Sequence, residues 1–277
     1  MAIQRRRTVH CVATILAVSL PMPAAAQSLD DDFWIEAGVY FPKLDTDISA
    51  TSKEYDFIGT EIDLEKDLGL KTSSNLITAT AGARLSNSIS LVADYYKIGR
   101  KGEIGIAREL IYDDVTYPVA ASLKTTFDSD IYRLTLNYSF IRNDALEIGI
   151  GGGAHVTDFS VQLSGEGRVG NESLVQFETR KEKLTAPLPT IGVYAAGKIT
   201  PRLTLGARAE YLSLKVGDYK GRLANTQVAL TYRLFDHVGL GIAFRRVDYR
   251  LKIDKRDWFG RYDYRFNGPE IFLKAGF

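Results

Sequence analysis

His155, Asp158 and Ser160 form the one local grouping in which an imidazole, a carboxylate and a hydroxyl lie close enough in sequence to suggest nucleophilic catalysis. In a regular strand His155 and Asp158 face opposite ways, and His155 and Ser160 stand roughly 16 Å apart at about 3.3 Å per residue. A local triad therefore does not form without a bulge. Asp63, Glu65 and Asp67 alternate, which would let three carboxylates meet a divalent cation through oxygen. Their alternation with Ile62, Leu64 and Leu68 reads more simply as a short strand or a segment folded over an opening. Arg246, Arg250, Lys252, Lys255 and Arg256, among Trp258, Phe259 and Tyr262, could grip phosphate oxygens through forked guanidinium donors. The interleaved Asp248, Asp254 and Asp257 make nucleic acid an unsuitable partner.

What positions these groups is a series of alternating segments. Apolar and polar residues exchange with period two across 33–41, 77–85, 89–98, 131–140, 146–156, 190–199, 203–211, 226–234, 238–246 and 268–277. Each has the length of a membrane-crossing β-strand, about nine to eleven residues. The intervals run long, short, long, short: about 35 residues after Phe41, three after Leu85, about 32 after Ile98, then three to five after Phe140, as in barrels with tight turns at one end and long loops at the other. The pattern predicts an all-β transmembrane antiparallel up-and-down barrel of about ten strands, with eight or twelve as alternatives. Outward aromatics are expected in two girdles, with Phe33, Phe140, Tyr232 and Phe277 at the turn side and Phe41, Tyr95, Phe159, Tyr211 and Phe244 at the loop side.

The same parity sends charge into the lumen. Arg84, Arg133, Lys198, Arg208, Arg233, Arg245 and Lys274 are expected inside with Glu36, Asp94, Glu147, Glu210 and Glu270. Charges in a narrow interior need partners, so they would form either an interlocked salt-bridge plug or a charged constriction for small solutes. Gly149, Gly151 and Gly153 would leave room for long arginines from facing strands.

The amino terminus decides the compartment. Arg5, Arg6 and Arg7 precede an apolar run from Cys11 to Leu20, then Pro21, Pro23 and three alanines, the zones of a secretory signal peptide over residues 1–26 with cleavage after Ala26. Residues 27–277 would be the barrel domain. Removing three Arg and no acid leaves 32 basic against 34 acidic side chains, a chain near neutrality. It also removes the only Cys, so thiol chemistry and cysteine–metal sites are excluded, and no metal or cofactor is expected. No later run is apolar enough for a transmembrane helix, which leaves a closed barrel as the route into a membrane.

At the carboxyl terminus Ile271, Leu273, Ala275 and Phe277 alternate with polar or mixed residues and the chain stops on an aromatic. This resembles the closing strand of Gram-negative outer-membrane β-barrels, in which that pattern is read by the insertion machinery. The chain is also similar, through Gly59–Leu64 with Asp67–Leu70, Asp130–Leu134, Ala186–Pro189, Tyr232–Gly241 and Gly268-Pro269, to a family of such barrels without an assigned activity. The resemblance implies fold and location, the cell outer membrane after export through the periplasm, and brings no catalytic residues. The expected function is a structural or narrow-channel, porin-like role without catalysis. Alternatives are a surface hydrolase centred on His155 and adhesion or ligand binding through the long loops. Outer-membrane lipid and the phosphates of lipopolysaccharide are the expected contacts of Arg250, Lys252, Lys255 and Arg256.

Overall fold

Backbone hydrogen bonds that cannot be given to water must be closed within the sheet, and this chain does so in a ring. The computed structural model describes residue 29 and residues 31–52, 60–112, 115–119, 121–169, 176–256 and 258–277. The expected leader and its cleavage point, with Gly59 and Asp257, lie outside the described residues. The strands are β1 (Phe33–Tyr40), β2 (Lys43–Ser52), β3 (Ile62–Asp63), β4 (Leu76–Ser86), β5 (Ile89–Gly105), β6 (Leu110–Tyr112), β7 (Val115–Tyr117), β8 (Ser122–Arg142), β9 (Leu146–Val169), β10 (Gln176–Thr200), β11 (Leu203–Val216), β12 (Tyr219–Arg233), β13 (Val238–Asp254) and β14 (Trp258–Gly276). No helix occurs among the described residues.

Ten of these strands make the barrel, in the order β1-β4-β5-β8-β9-β10-β11-β12-β13-β14, and β14 pairs back onto β1 from Trp34↔Gly276 to Tyr40↔Glu270. Every pairing is antiparallel. After Phe41-Pro42, β2 continues along the far half of β14, β3 pairs with β2, and the β6–β7 hairpin adds to the end of β9.

The strands are longer than the sequence suggests. β9 and β10 run for 24 and 25 residues, well beyond what a bilayer needs. Much of what reads as long loop is therefore strand, and β11 and β12 are joined at that end by a tight turn in which Gly217 takes φ 56°.

The reason lies in a phase change along each strand. In β13 the apolar residues Leu240, Ile242 and Phe244 point outward and are exposed, whereas Val247, Tyr249, Leu251 and Ile253 are buried inside. β14 behaves alike: Ile271 and Leu273 face out, Tyr262, Tyr264 and Phe266 face in. In β8 Leu134, Leu136 and Tyr138 face out, while Leu123, Phe127 and Ile131 face in. Below the change the sheet offers hydrocarbon-like side chains to lipid; above it the sheet encloses an ordinary apolar core and shows polar side chains to water. Phe159 lies above the change. It is 3% exposed and packs inside the barrel rather than in the loop-side girdle expected from parity alone.

Candidate functional site: the barrel lumen

Three layers fill the lumen from the outer end inward. The first is aromatic. Phe159 from β9 stacks on Tyr262 at 5.7 Å and meets Tyr249 at 5.4 Å, Tyr264 lies 5.5 Å from Phe127 of β8, and Phe266 lies 5.0 Å from Tyr264 and 6.1 Å from Tyr96 of β5. Rings from opposite walls thus meet across the axis. Ile62 of β3, with Leu64, Leu68 and Leu70 from the segment after it, is buried in the same core. Each such aromatic pair contributes about 0.5–1.5 kcal/mol beyond its buried area. At this level the lumen holds an apolar layer, which lies above the ion-pair network that the inward charges suggest.

The second layer is charged. Arg133 Nε donates to Asp94 Oδ2 at 2.9 Å and its Nη1 to Glu210 Oε2 at 2.9 Å. Asp94 also accepts from the Thr80 hydroxyl at 2.9 Å and lies 3.5 Å from Arg208 Nη2, while Asn225 Nδ2 donates to Glu210 at 2.9 Å. Beside this group Glu270 accepts from Arg245 at 3.0 Å and from the Thr78 hydroxyl at 2.6 Å. The Arg245 guanidinium lies 5.6 Å from the Tyr40 ring centre and 5.4 Å from that of Tyr96, which joins the charged layer to the aromatic one.

The third layer, at the turn side, is hollow. A cavity of about 250 Å³ extends from Glu210 and Arg208 to Thr204, Thr231 and Lys274 near the strand ends. Small residues such as Gly206 and Ala229 line one wall and Trp34, Tyr194 and Phe272 line others. At its mouth Arg84 pairs with Glu147 at 3.2 Å and donates to the Leu29 carbonyl at 3.1 Å, and Arg142 donates to the same carbonyl at 3.3 Å.

Of the twelve charges assigned inward, Arg84, Asp94, Arg133, Glu147, Arg208, Glu210, Arg245 and Glu270 enter these ion pairs. Lys274 instead reaches Asp31 at 3.5 Å and lies over the Trp34 ring. Glu36 faces the cavity without a hydrogen bond or ion pair among the described residues. Lys198 and Arg233 lie at the turn-side end, where the Lys198 N–H donates to the Ala145 carbonyl and Arg233 borders a small cleft with His237. Room beside Gly149 and Gly151 is taken by neighbouring side chains rather than by facing arginines: a Cβ would stand 2.5 Å from the Tyr194 hydroxyl at the first and 2.5 Å from Asn137 Oδ1 at the second.

His155 is 2% exposed, opposite Arg133 in the register, with its ring centre 6.3 Å from that of Tyr249. Asp158 is exposed on the outer face, so strand parity separates the two. Asp63, Glu65 and Asp67 turn to three different cations, namely Lys66 at 2.7 Å, Arg100 and Arg108. No group of three residues suited to hold a metal ion occurs among the described residues.

The outer wall carries a cluster of basic side chains. Arg250 and Lys252 project outward from β13, directly opposite Arg222 and Lys220 of β12, and Lys220 in turn faces Lys215 of β11. Lys255 and Arg256 sit apart, at the β13–β14 turn. Sequence reasoning missed Arg222, Lys220 and Lys215 because their segment reads as loop; for Lys220 and Arg222, alternation with the buried Gly221 and Leu223 was the available signal. At the other end Phe277 donates its N–H to the Phe33 carbonyl at 2.8 Å and stacks on His237 at 5.3 Å, while Ile271, Leu273 and Ala275 face outward beside it.

No protein-family model matches the chain, and no curated protein is similar to it in sequence. Solved structures are similar in shape. The outer membrane protease OmpT from Escherichia coli superposes with a TM-score of 0.57 at 13% identity, covering 91% of this chain and 99% of its own. The toluene transporter TodX from Pseudomonas putida gives 0.38 at 10% identity over 90% of each chain, and the toluene transporter TbuX from Ralstonia pickettii 0.38 at 10% over 92% of each. At 13% identity, what the OmpT superposition shares with this chain is its fold. The chain has the fold of the outer-membrane β-barrels.

Proposed function

We propose that the protein is an integral outer-membrane barrel of structural type, exported through the periplasm and closed to solute passage. The observation that carries this reading is the aromatic layer, in which Phe127, Phe159, Tyr249, Tyr262, Tyr264 and Phe266 meet across the axis above a paired charge layer. A narrow channel would need a continuous wet path, and buried rings in van der Waals contact offer none. A hydrolase centred on His155 is disfavoured because the imidazole is buried beneath these rings and away from Asp158. The exposed Ile271, Leu273 and Phe277 edge serves recognition by the insertion machinery. The basic wall of β12 and β13 is the surface we assign to lipopolysaccharide phosphates, with Arg250 and Lys252 as contacts and Lys255 and Arg256 at its rim. Like charges set directly opposite each other cost stability unless an anion lies between them.

Liposomes carrying the purified protein and suspended in an isotonic arabinose solution test the closed lumen. Swelling no faster than that of protein-free liposomes is expected; swelling at a porin-like rate would overturn the reading.

A further inference from the structure

The hollow third layer is a cup that lies below the charged and aromatic layers, with Leu29, Thr204, Thr231 and Lys274 lining it toward the turn-side strand ends. Its polar groups are arranged unevenly. Glu36 and Lys274 are register partners across β1 and β14, so an ion pair between them would be the simple outcome. Lys274 turns away instead, to Asp31 at 3.5 Å and over the Trp34 ring at 5.4 Å. Glu36 is left with its carboxylate toward the cavity.

Across the ring, Arg208 has one long ion pair, 3.5 Å to Asp94, and an Nε without an acceptor. Its register partner Gln227 lines the cavity too and carries no side-chain hydrogen bond among the described residues. The cup therefore has an acceptor pole at Glu36 and a donor pole at Arg208 and Gln227. Trp34, Tyr194 and Phe272 supply an apolar wall beside the poles. A charged group in a confined site gains most from a partner of opposite charge that also hydrogen-bonds.

We propose that this cup binds, from the periplasmic side, a small zwitterion with an apolar side chain, of amino-acid to dipeptide size. Its ammonium group meets Glu36, its carboxylate meets Arg208 and Gln227, and its side chain lies on the aromatic wall. A volume of about 250 Å³ is a little below the usual small-molecule pocket, about 300–1,000 Å³, and suits a ligand of amino-acid to small-dipeptide size. The site stands whether or not the outer end passes ions, so this inference and the closed-lumen reading fail separately.

The probe is the dipeptide alanyl-phenylalanine, titrated calorimetrically into the refolded full-length mature protein in detergent micelles, with the N-acetylated and C-amidated dipeptides as comparators. Saturable binding of the free dipeptide is expected, and each capped form should bind about ten- to a hundredfold more weakly, the loss of one charged hydrogen-bonding partner. Glu36→Gln and Arg208→Gln should weaken binding by similar factors. Ala229→Leu, which fills the cavity from its small-residue wall, should abolish binding in a protein whose heat-modifiable gel migration shows that it is folded. Absence of saturable binding, equal affinity for the capped forms, or undiminished binding in Ala229→Leu would each overturn the proposal.

Discussion

Arg222 and Arg250 stand directly opposite each other on the outer wall of β12 and β13, and both are exposed. The Arg222 guanidinium lies 5.9 Å from the centre of the Tyr211 ring, at the upper edge of the lipid-facing belt. Two like charges in one cross-strand pair repel by a few tenths of a kcal/mol to about 1 kcal/mol. Replacing both by Gln should leave the melting temperature in lipopolysaccharide-free detergent unchanged or higher by about 2 °C. The same variant should lose most of the stabilisation that added lipopolysaccharide gives the wild type. Thermal melts with and without the glycolipid check this, and equal shifts for both proteins would contradict it.

How far these relationships can be read from sequence follows from the phase change along the strands. The alternation of β13 continues without a break from Val238 to Asp254, but its apolar set moves from the even to the odd positions after Phe244. A reading that looks for apolar residues on the lipid side stops there. It takes Tyr262, Tyr264 and Phe266 as part of a loop and Phe159 as part of a girdle. The inward side of Arg133 follows from parity within one strand. That it meets Glu210, 77 residues away and across the ring, depends on how the barrel closes. The cup was not legible for a related reason: it is space left where small residues on β11 and β12, such as Gly206 and Ala229, face larger ones on distant strands.

Arg133 is the centre of the charged layer, bonded to Asp94 and Glu210 with side chains almost wholly buried. Removing one member of such a group leaves an uncompensated charge and costs about 3–5 kcal/mol. Arg133→Met should therefore lower unfolding stability in urea by about that amount, whereas adding Asp94→Asn to it should restore part of the loss. Additive losses in the double variant would argue against a shared network.

Phe159 meets four other rings of the plug: Phe127, Tyr249, Tyr262 and Tyr264. Phe159→Ala leaves a cavity in a packed core and should cost about 3–5 kcal/mol. An outward residue in the lipid belt would show a much smaller loss, so the same urea titration distinguishes the two placements.

Asp63 organises the turn over the outer opening, where its Oδ1 accepts from the Glu65 N–H at 3.1 Å and the Lys66 N–H at 2.9 Å. Burial alone would raise its carboxyl, but the hydrogen bonds and charge of Lys66 and the Glu65 N–H outweigh that and hold it below the usual carboxylate range. Because the folded value is the lower one, the turn gains stability above the ordinary aspartate pKa of about 3.9 and loses it as the pH falls below that. Amide exchange at Glu65 and Lys66, corrected for intrinsic rates, should speed up below about pH 4 in the wild type. Asp63→Asn should show no such step, and an acid-independent wild type would count against the assignment.

The aromatic plug is tested most directly by the ionic current through single purified barrels in a planar bilayer at high salt. No current above the leak of the bare bilayer is predicted at any voltage the bilayer withstands. Steady, stepwise conductance that scales with salt concentration would mean an open path past Phe159 and Tyr264 and would contradict the closed lumen.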